Sequence, residues 1–161
     1  MKALIAGSFH PPTMGHLDLI GLSSRMFEEV IVAVMVNAEK KYSISKEQRV
    51  KMLEKCTAAF SNISVVSDTG LTAALARKMG AEVLVRGVRD CTDFEYERRI
   101  ADINRSQYGI ETVILPTKPS LSSVSSSVVM DLIRHGGNID GLVPEIIKEE
   151  IINAVKKECR L

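Results

Sequence analysis

Five short aliphatic runs, separated by longer amphipathic stretches, decide what this chain can fold into. They cover residues 3–6, 30–36, 63–66, 83–85 and 113–115. Near-continuous aliphatic character, interrupted only by Ser64, marks strands covered on both faces, as in a parallel sheet. The intervals carry helical signals. Leu17, Ile20 and Phe27 recur at helical spacing. Ser45 with Gln48 forms a capping box ahead of Val50, Leu53 and Phe60. Residues 71–79 read as a helix stopped by Gly80, and Phe94, Glu97, Ile100 and Asn104 share another. Ser125 caps a helix that runs to Arg134 before Gly136 and Gly137. Pro144 opens a last one with Ile147, Ile151 and Val155 facing inward.

Strands alternating with helices give an α/β fold, a Rossmann-like doubly wound parallel five-stranded sheet with helices on both faces. Length fits one domain over residues 1–161, and a 45% share of hydrophobic residues is enough to bury a core. The net charge of +1 gives no global field for nucleic acid. Cys56, Cys91 and Cys159 form no CxxC pair, so three reduced thiols are expected in place of a disulfide framework or zinc site, with no metal-ligating residues. No apolar stretch is long enough for a membrane helix and the N-terminus does not read as a signal peptide. A cytoplasmic protein is therefore expected, with neither membrane nor nucleic acid as partner.

In open α/β sheets, ligands bind beyond the carboxyl ends of the strands. The least ordinary segments of this sequence follow those ends. Residues 7–16 read GSFHPPTMGH, residues 37–41 NAEKK, residues 86–89 RGVR, and residues 116–127 contain a serine cluster. Lys40, Arg86 and Arg89 suit phosphates, Arg through its bidentate fork. Ser125, Ser126 and Ser127 at a helix start add hydroxyls, backbone N–H groups and the positive end of a dipole. A locally positive rim for a phosphate-rich ligand is expected. Neither GxxxxGK[ST] nor GxGxxG follows a strand, and no GxSxG elbow is present. P-loop, ordinary dinucleotide-binding and serine-hydrolase readings are therefore disfavoured.

Thr13-Met14-Gly15-His16 resembles the [HT]xGH motif of the nucleotidyltransferase superfamily. Arg86-Gly87-Val88-Arg89 followed by Asp93-Phe94-Glu95-Tyr96-Glu97 resembles the RG[LV]R…DFEYE signature of bacterial phosphopantetheine adenylyltransferases, and the likeness extends over nearly the whole chain. The resemblance implies direct transfer of the adenylyl group of ATP to 4′-phosphopantetheine, giving dephospho-coenzyme A and pyrophosphate with Mg²⁺ assisting. It implies catalytic roles for His16 and Lys40. ATP would be held by Ser8, Phe9, His16, Gly87, Val88, Arg89 and Glu97, together with Leu121, Ser122, Ser123, Val124, Ser125, Ser126 and Ser127. Phosphopantetheine would be held by Ser8, Lys40, Thr72 and Arg86. A homohexamer and feedback by coenzyme A are further implications. Where the family usually has aspartate, this chain has His10. Glu97 has the alternative of an ion pair across its own helix, for example with Arg98. The competing functions are adenylyl transfer to nicotinamide mononucleotide and a nucleotide-binding regulator without catalysis.

Overall fold

A strand with apolar side chains on both faces needs two layers to cover it; the runs at 3–6, 30–36 and 83–85 are largely buried in this way, while those at 63–66 and 113–115 are only partly buried. The computed structural model describes residues 1–37 and 39–158; Cys159, read above as a reduced thiol, lies outside them. The strands are β1 (Lys2–Gly7), β2 (Glu29–Met35), β3 (Ile63–Asp68), β4 (Val83–Val88) and β5 (Glu111–Pro116). The helices are α1 (Met14–Met26), α2 (Lys46–Thr57), α3 (Thr72–Lys78), α4 (Cys91–Tyr108), α5 (Ser126–Arg134) and α6 (Glu145–Glu158). All strand pairs are parallel, in the order β3-β2-β1-β4-β5.

Side-chain parity divides the core. Ala3, Ile5, Val30, Val32, Val83 and Val85 form one layer with Ile20 of α1 and Leu53 of α2. The alternate residues Leu4, Ala6, Ile31, Ala33 and Leu84 form the other with Ala73, Leu75 and Ala76 of α3. A third cluster joins Met52 of α2 and Val129 and Ile133 of α5 to Ile147, Ile151 and Val155 of α6. These last three are fully buried, as their spacing predicts. Each contributes about 1.5–3 kcal/mol of transfer free energy.

The caps follow the sequence. Ser45 and Gln48 make the reciprocal box that starts α2, and Ser125 accepts from Val128 N–H to start α5. The serine stretch differs from a plain polar loop, because residues Pro119–Leu121 wind into a 3-10 turn before α5.

The end of β4 also differs from expectation, and this difference places the site. The strand continues through Arg86, Gly87 and Val88, which pair with Ile114, Leu115 and Pro116 of β5. Its pairing with β1 stops at Ile5 opposite Val85. The aliphatic run ends at Val85, but the ladder to β5 carries the backbone three residues further without an apolar sequence signal. Beyond Val85 the carboxyl ends of β1 and β4 separate. The chain passes β1→β2→β3 on one side of β1 before crossing to β4 on the other. The gap therefore lies at the switch in strand order, where such sheets bind ligands.

Candidate active site

A cavity of about 310 Å³ fills this gap. Its floor is Ala6 and Gly7 of β1 with Arg86 and Gly87 of β4. Thr13, Gly15 and His16 at the start of α1 form one wall, and Val124, Ser125 and Ser126 at the start of α5 form another. Two helix N-termini thus open on the same space, each bringing the positive end of its dipole. Ser126 Oγ donates to Pro11 O at 2.8 Å and ties the two walls together. Phe9, at φ 46°, is 1% exposed and packs edge-on against His16 with ring centroids 4.9 Å apart.

The state of His16 is set by local structure. Thr13 is the N-cap of α1, and its backbone N–H donates to His16 Nδ1 at 3.0 Å. His16 N–H in turn donates to Thr13 Oγ1 at 3.4 Å. Histidine here takes the place of the glutamate or glutamine that normally completes a capping box. With Nδ1 accepting, the proton of the neutral ring sits on Nε2. Burial, together with the positive charges of Arg86 and Arg89, pushes the imidazole down to about 4. The ring is therefore a neutral donor on a cavity wall throughout the physiological range.

The arginines do not stand alone. Arg86 Nε and Nη2 donate to the two oxygens of Glu97 at 2.8 and 2.6 Å, while Nη1 donates to Ala6 O at 2.7 Å. Glu97 is buried, and Arg86 is its ion-pair partner. The intrahelical pairing suggested by sequence is not formed, since Arg98 lies beside Glu95 and Asp102 instead. Arg89 Nε donates to Asp93 Oδ2 at 2.8 Å, which raises the guanidinium and lowers the carboxyl. Each arginine expected to make the rim positive is matched by a carboxylate from α4. What distinguishes the cavity is the density of oriented donors.

A second cavity of about 360 Å³ lies between α3, α4 and β5. Thr72, Tyr96, Ile100, Asn104 and Thr112 line it, and Arg86 and Glu97 line both cavities. Thr112 Oγ1 is the one buried side-chain polar atom without a hydrogen-bond partner among the described residues. Such atoms are rare in folded proteins.

The structure brings together His16, Phe9, Arg86, Gly87, Arg89, Glu97, Val124, Ser125 and Ser126, all on the first cavity. Thr72 lies on the second. Ser8, Val88, Leu121, Ser122, Ser123 and Ser127 are not among the lining residues of the first cavity. Lys40 lies outside both linings, in an exposed turn whose N–H donates to Asn37 O. Sequence reading did not single out Asp93 by itself, Thr112, or the buried Arg49. Asp93 had a signal in its spacing, four residues after Arg89 and at the start of α4. Among the described residues, no three His, Cys, Asp or Glu side chains converge as a metal nest. No helix of the described chain is long and apolar enough to cross a membrane.

Comparison with known proteins gives consistent results. The cytidylyltransferase-like family model matches residues 4–131. A phosphopantetheine adenylyltransferase of Flavobacterium psychrophilum is 46% identical over 147 residues, covering 91% of this chain and 97% of that protein. One from Synechococcus is 44% identical over 152 residues, covering 94% and 92%. Among solved structures, a chain described as a nicotinate-nucleotide adenylyltransferase from Vibrio parahaemolyticus superposes with a TM-score of 0.72 at 18% identity. It covers 98% of this chain and 95% of its own. That likeness concerns the fold.

Proposed function

The chain belongs to the phosphopantetheine adenylyltransferases of the cytidylyltransferase-like family, and on that premise we propose that it transfers the adenylyl group of ATP to 4′-phosphopantetheine. A phosphate oxygen of phosphopantetheine attacks the α-phosphorus of ATP in line. A new P–O–P linkage forms, the bond between the α-phosphorus and the β-bridging oxygen breaks, and pyrophosphate leaves with that electron pair. Dephospho-coenzyme A is the other product, and the reaction is reversible.

The observation that carries this reading is His16, held neutral with its proton on Nε2, at the gap between β1 and β4. Such a donor suits an α-phosphate oxygen whose charge grows in transfer, and it needs no proton exchange. Catalysis then consists of positioning and preorganised donors. Arg86 borders both cavities, which suits a phosphate at the end of a long arm. The first cavity takes the nucleotide, with Ser8, Phe9, Gly87, Val88, Arg89 and residues 121–127 around it. The second takes the pantetheine arm, whose amides find partners in Thr112 Oγ1, Asn104 and Thr72. Glu97 acts through Arg86, fixing the guanidinium. Lys40 approaches the phosphates from its exposed turn. Both cavity carboxylates are bound to arginines and the described residues offer no metal nest of their own, so Mg²⁺ would come with the phosphates of ATP and would supply charge neutralisation there.

The exposed apolar residues Leu71, Tyr96 and Ile103 on the second cavity support a homo-oligomer, which we take to be a hexamer. We place the enzyme in the cytoplasm and take coenzyme A as a feedback ligand of the same site. The reverse reaction tests the assignment. Dephospho-coenzyme A with pyrophosphate should yield ATP. Formation of ATP from nicotinamide adenine dinucleotide and not from dephospho-coenzyme A would contradict it.

A further inference from the structure

The loop that carries Lys40 is fastened to the loop that carries Ser8 by a cluster outside both cavities. Ile44 N–H donates to His10 Nε2 at 3.3 Å, and Ser43 Oγ lies 3.2 Å from the same nitrogen. The Tyr42 ring meets His10 edge-on, with centroids 5.1 Å apart, and lies under the Arg49 guanidinium at 4.2 Å. Tyr42 Oη accepts from Asn37 N–H at 3.2 Å, which closes the loop on itself around Lys40. Arg49 is 1% exposed; it donates to carbonyls, lies over the Tyr42 ring and has the charge of Glu47 nearby. Nη1 donates to Ser8 O at 2.6 Å and Nε to Ser45 O at 3.3 Å. A buried guanidinium is tolerable only while its donors are satisfied, so these carbonyls are held tightly.

We propose that His10, Tyr42 and Arg49 are positioning residues that lock the Lys40 loop in register with the Ser8 segment. None of the three lines either cavity. Nε2 of His10 accepts from a backbone N–H, so the ring serves as an acceptor anchor with its proton on Nδ1. A glutamine at the same position carries an acceptor oxygen as far from the backbone as Nε2 and can accept from Ile44 N–H and Ser43 Oγ, whereas a methyl group cannot. Tyr42 couples the anchor to Arg49, and Arg49 reaches the backbone of Ser8. Displacing any member frees Lys40 from its place relative to the β1 end. Only the consequence for catalysis rests on the adenylyl-transfer reading; the lock itself does not.

Two measurements on the full-length protein test this. The first is the rate of tryptic cleavage after Lys40 and Lys41. Tyr42→Ala and His10→Ala should be cut about tenfold faster than the parent and His10→Gln at close to the parent rate, as expected where local opening limits cleavage. The second is a double-mutant cycle on kcat/KM for phosphopantetheine. Tyr42→Ala should cost about tenfold in the parent and less than about twofold in a Lys40→Ala background, since residues acting through one another are not additive. Equal cleavage rates, or the same cost in both backgrounds, would overturn the proposal. If Tyr42→Ala lowers Tm so far that it does not fold, His10→Ala with its His10→Gln rescue carries both arms. A parent that turns over no acceptor would refute the proposed reaction, while the cleavage rates still decide whether the lock exists.

Discussion

At the scale of single residues, His16 serves two ends with one ring. Nδ1 completes the cap of α1 and Nε2–H is left for chemistry. His16→Ala should lower kcat by roughly 10²–10³ while ATP affinity, measured by calorimetry, is largely retained, because a transition-state donor is lost. The same substitution should cost about 1 kcal/mol of stability through the lost cap. His16→Gln can keep the capping box and separates the two effects. The depressed pKa has a definite sign. The unfolded ring titrates near the ordinary histidine value of 6.5 and the folded one near 4, so the unfolded state binds the extra proton between them. The stability contributed by neutral His16 is full above 6.5 and falls as pH drops toward 4. Urea midpoints of the parent and His16→Gln should therefore converge or cross over that window; parallel curves would refute the shift. The motif around His16 was legible in sequence because four contiguous residues carry it. Its capping role was not, since histidine seldom fills that position of the box. Arg49 gave no signal, as one arginine in an amphipathic helix looks like any solvated charge until its burial is known.

At the scale of elements, one ion pair joins β4 to α4 and separates the two cavities. Removing Arg86 leaves Glu97 buried without its partner. Arg86→Ala should cost about 3 kcal/mol of folding stability, toward the low end for a broken buried pair because Arg86 is partly exposed. The loss should show as a fall in denaturation midpoint independent of any effect on the KM for phosphopantetheine. Glu97→Gln should preserve the fold better, since the amide oxygen still accepts one of the two bonds from Arg86, and should raise that KM because the guanidinium loses its second tether. An unchanged midpoint for Arg86→Ala would show that the pair contributes nothing. Elements with local signals were legible: Ser45 with Gln48, Ser125, and the inward stripe of Ile147, Ile151 and Val155. The true end of β4 was not. Arg86, Gly87 and Val88 are strand because β5 pairs with them, and pairing partners are not written in the segment itself.

At the scale of the molecule, the order β3-β2-β1-β4-β5 puts the separation of β1 and β4 at the centre of the sheet. Strand number and direction followed from the aliphatic runs. Strand order is non-local and became visible only in the structure, although residues 7–16 and 86–89 already pointed to the two strand ends concerned. The second cavity was equally hidden in sequence, because Thr72, Asn104 and Thr112 come from three separate elements. Two cavities meeting at Arg86 describe a site for two ligands, one on each side of a shared phosphate position. That arrangement leads to the central measurement, pyrophosphate release from ATP and Mg²⁺ with 4′-phosphopantetheine, nicotinamide mononucleotide or no acceptor in parallel. Release with phosphopantetheine alone, accompanied by dephospho-coenzyme A, is the predicted result. Release only with the nicotinamide nucleotide, or none from a folded protein that binds ATP, would contradict it.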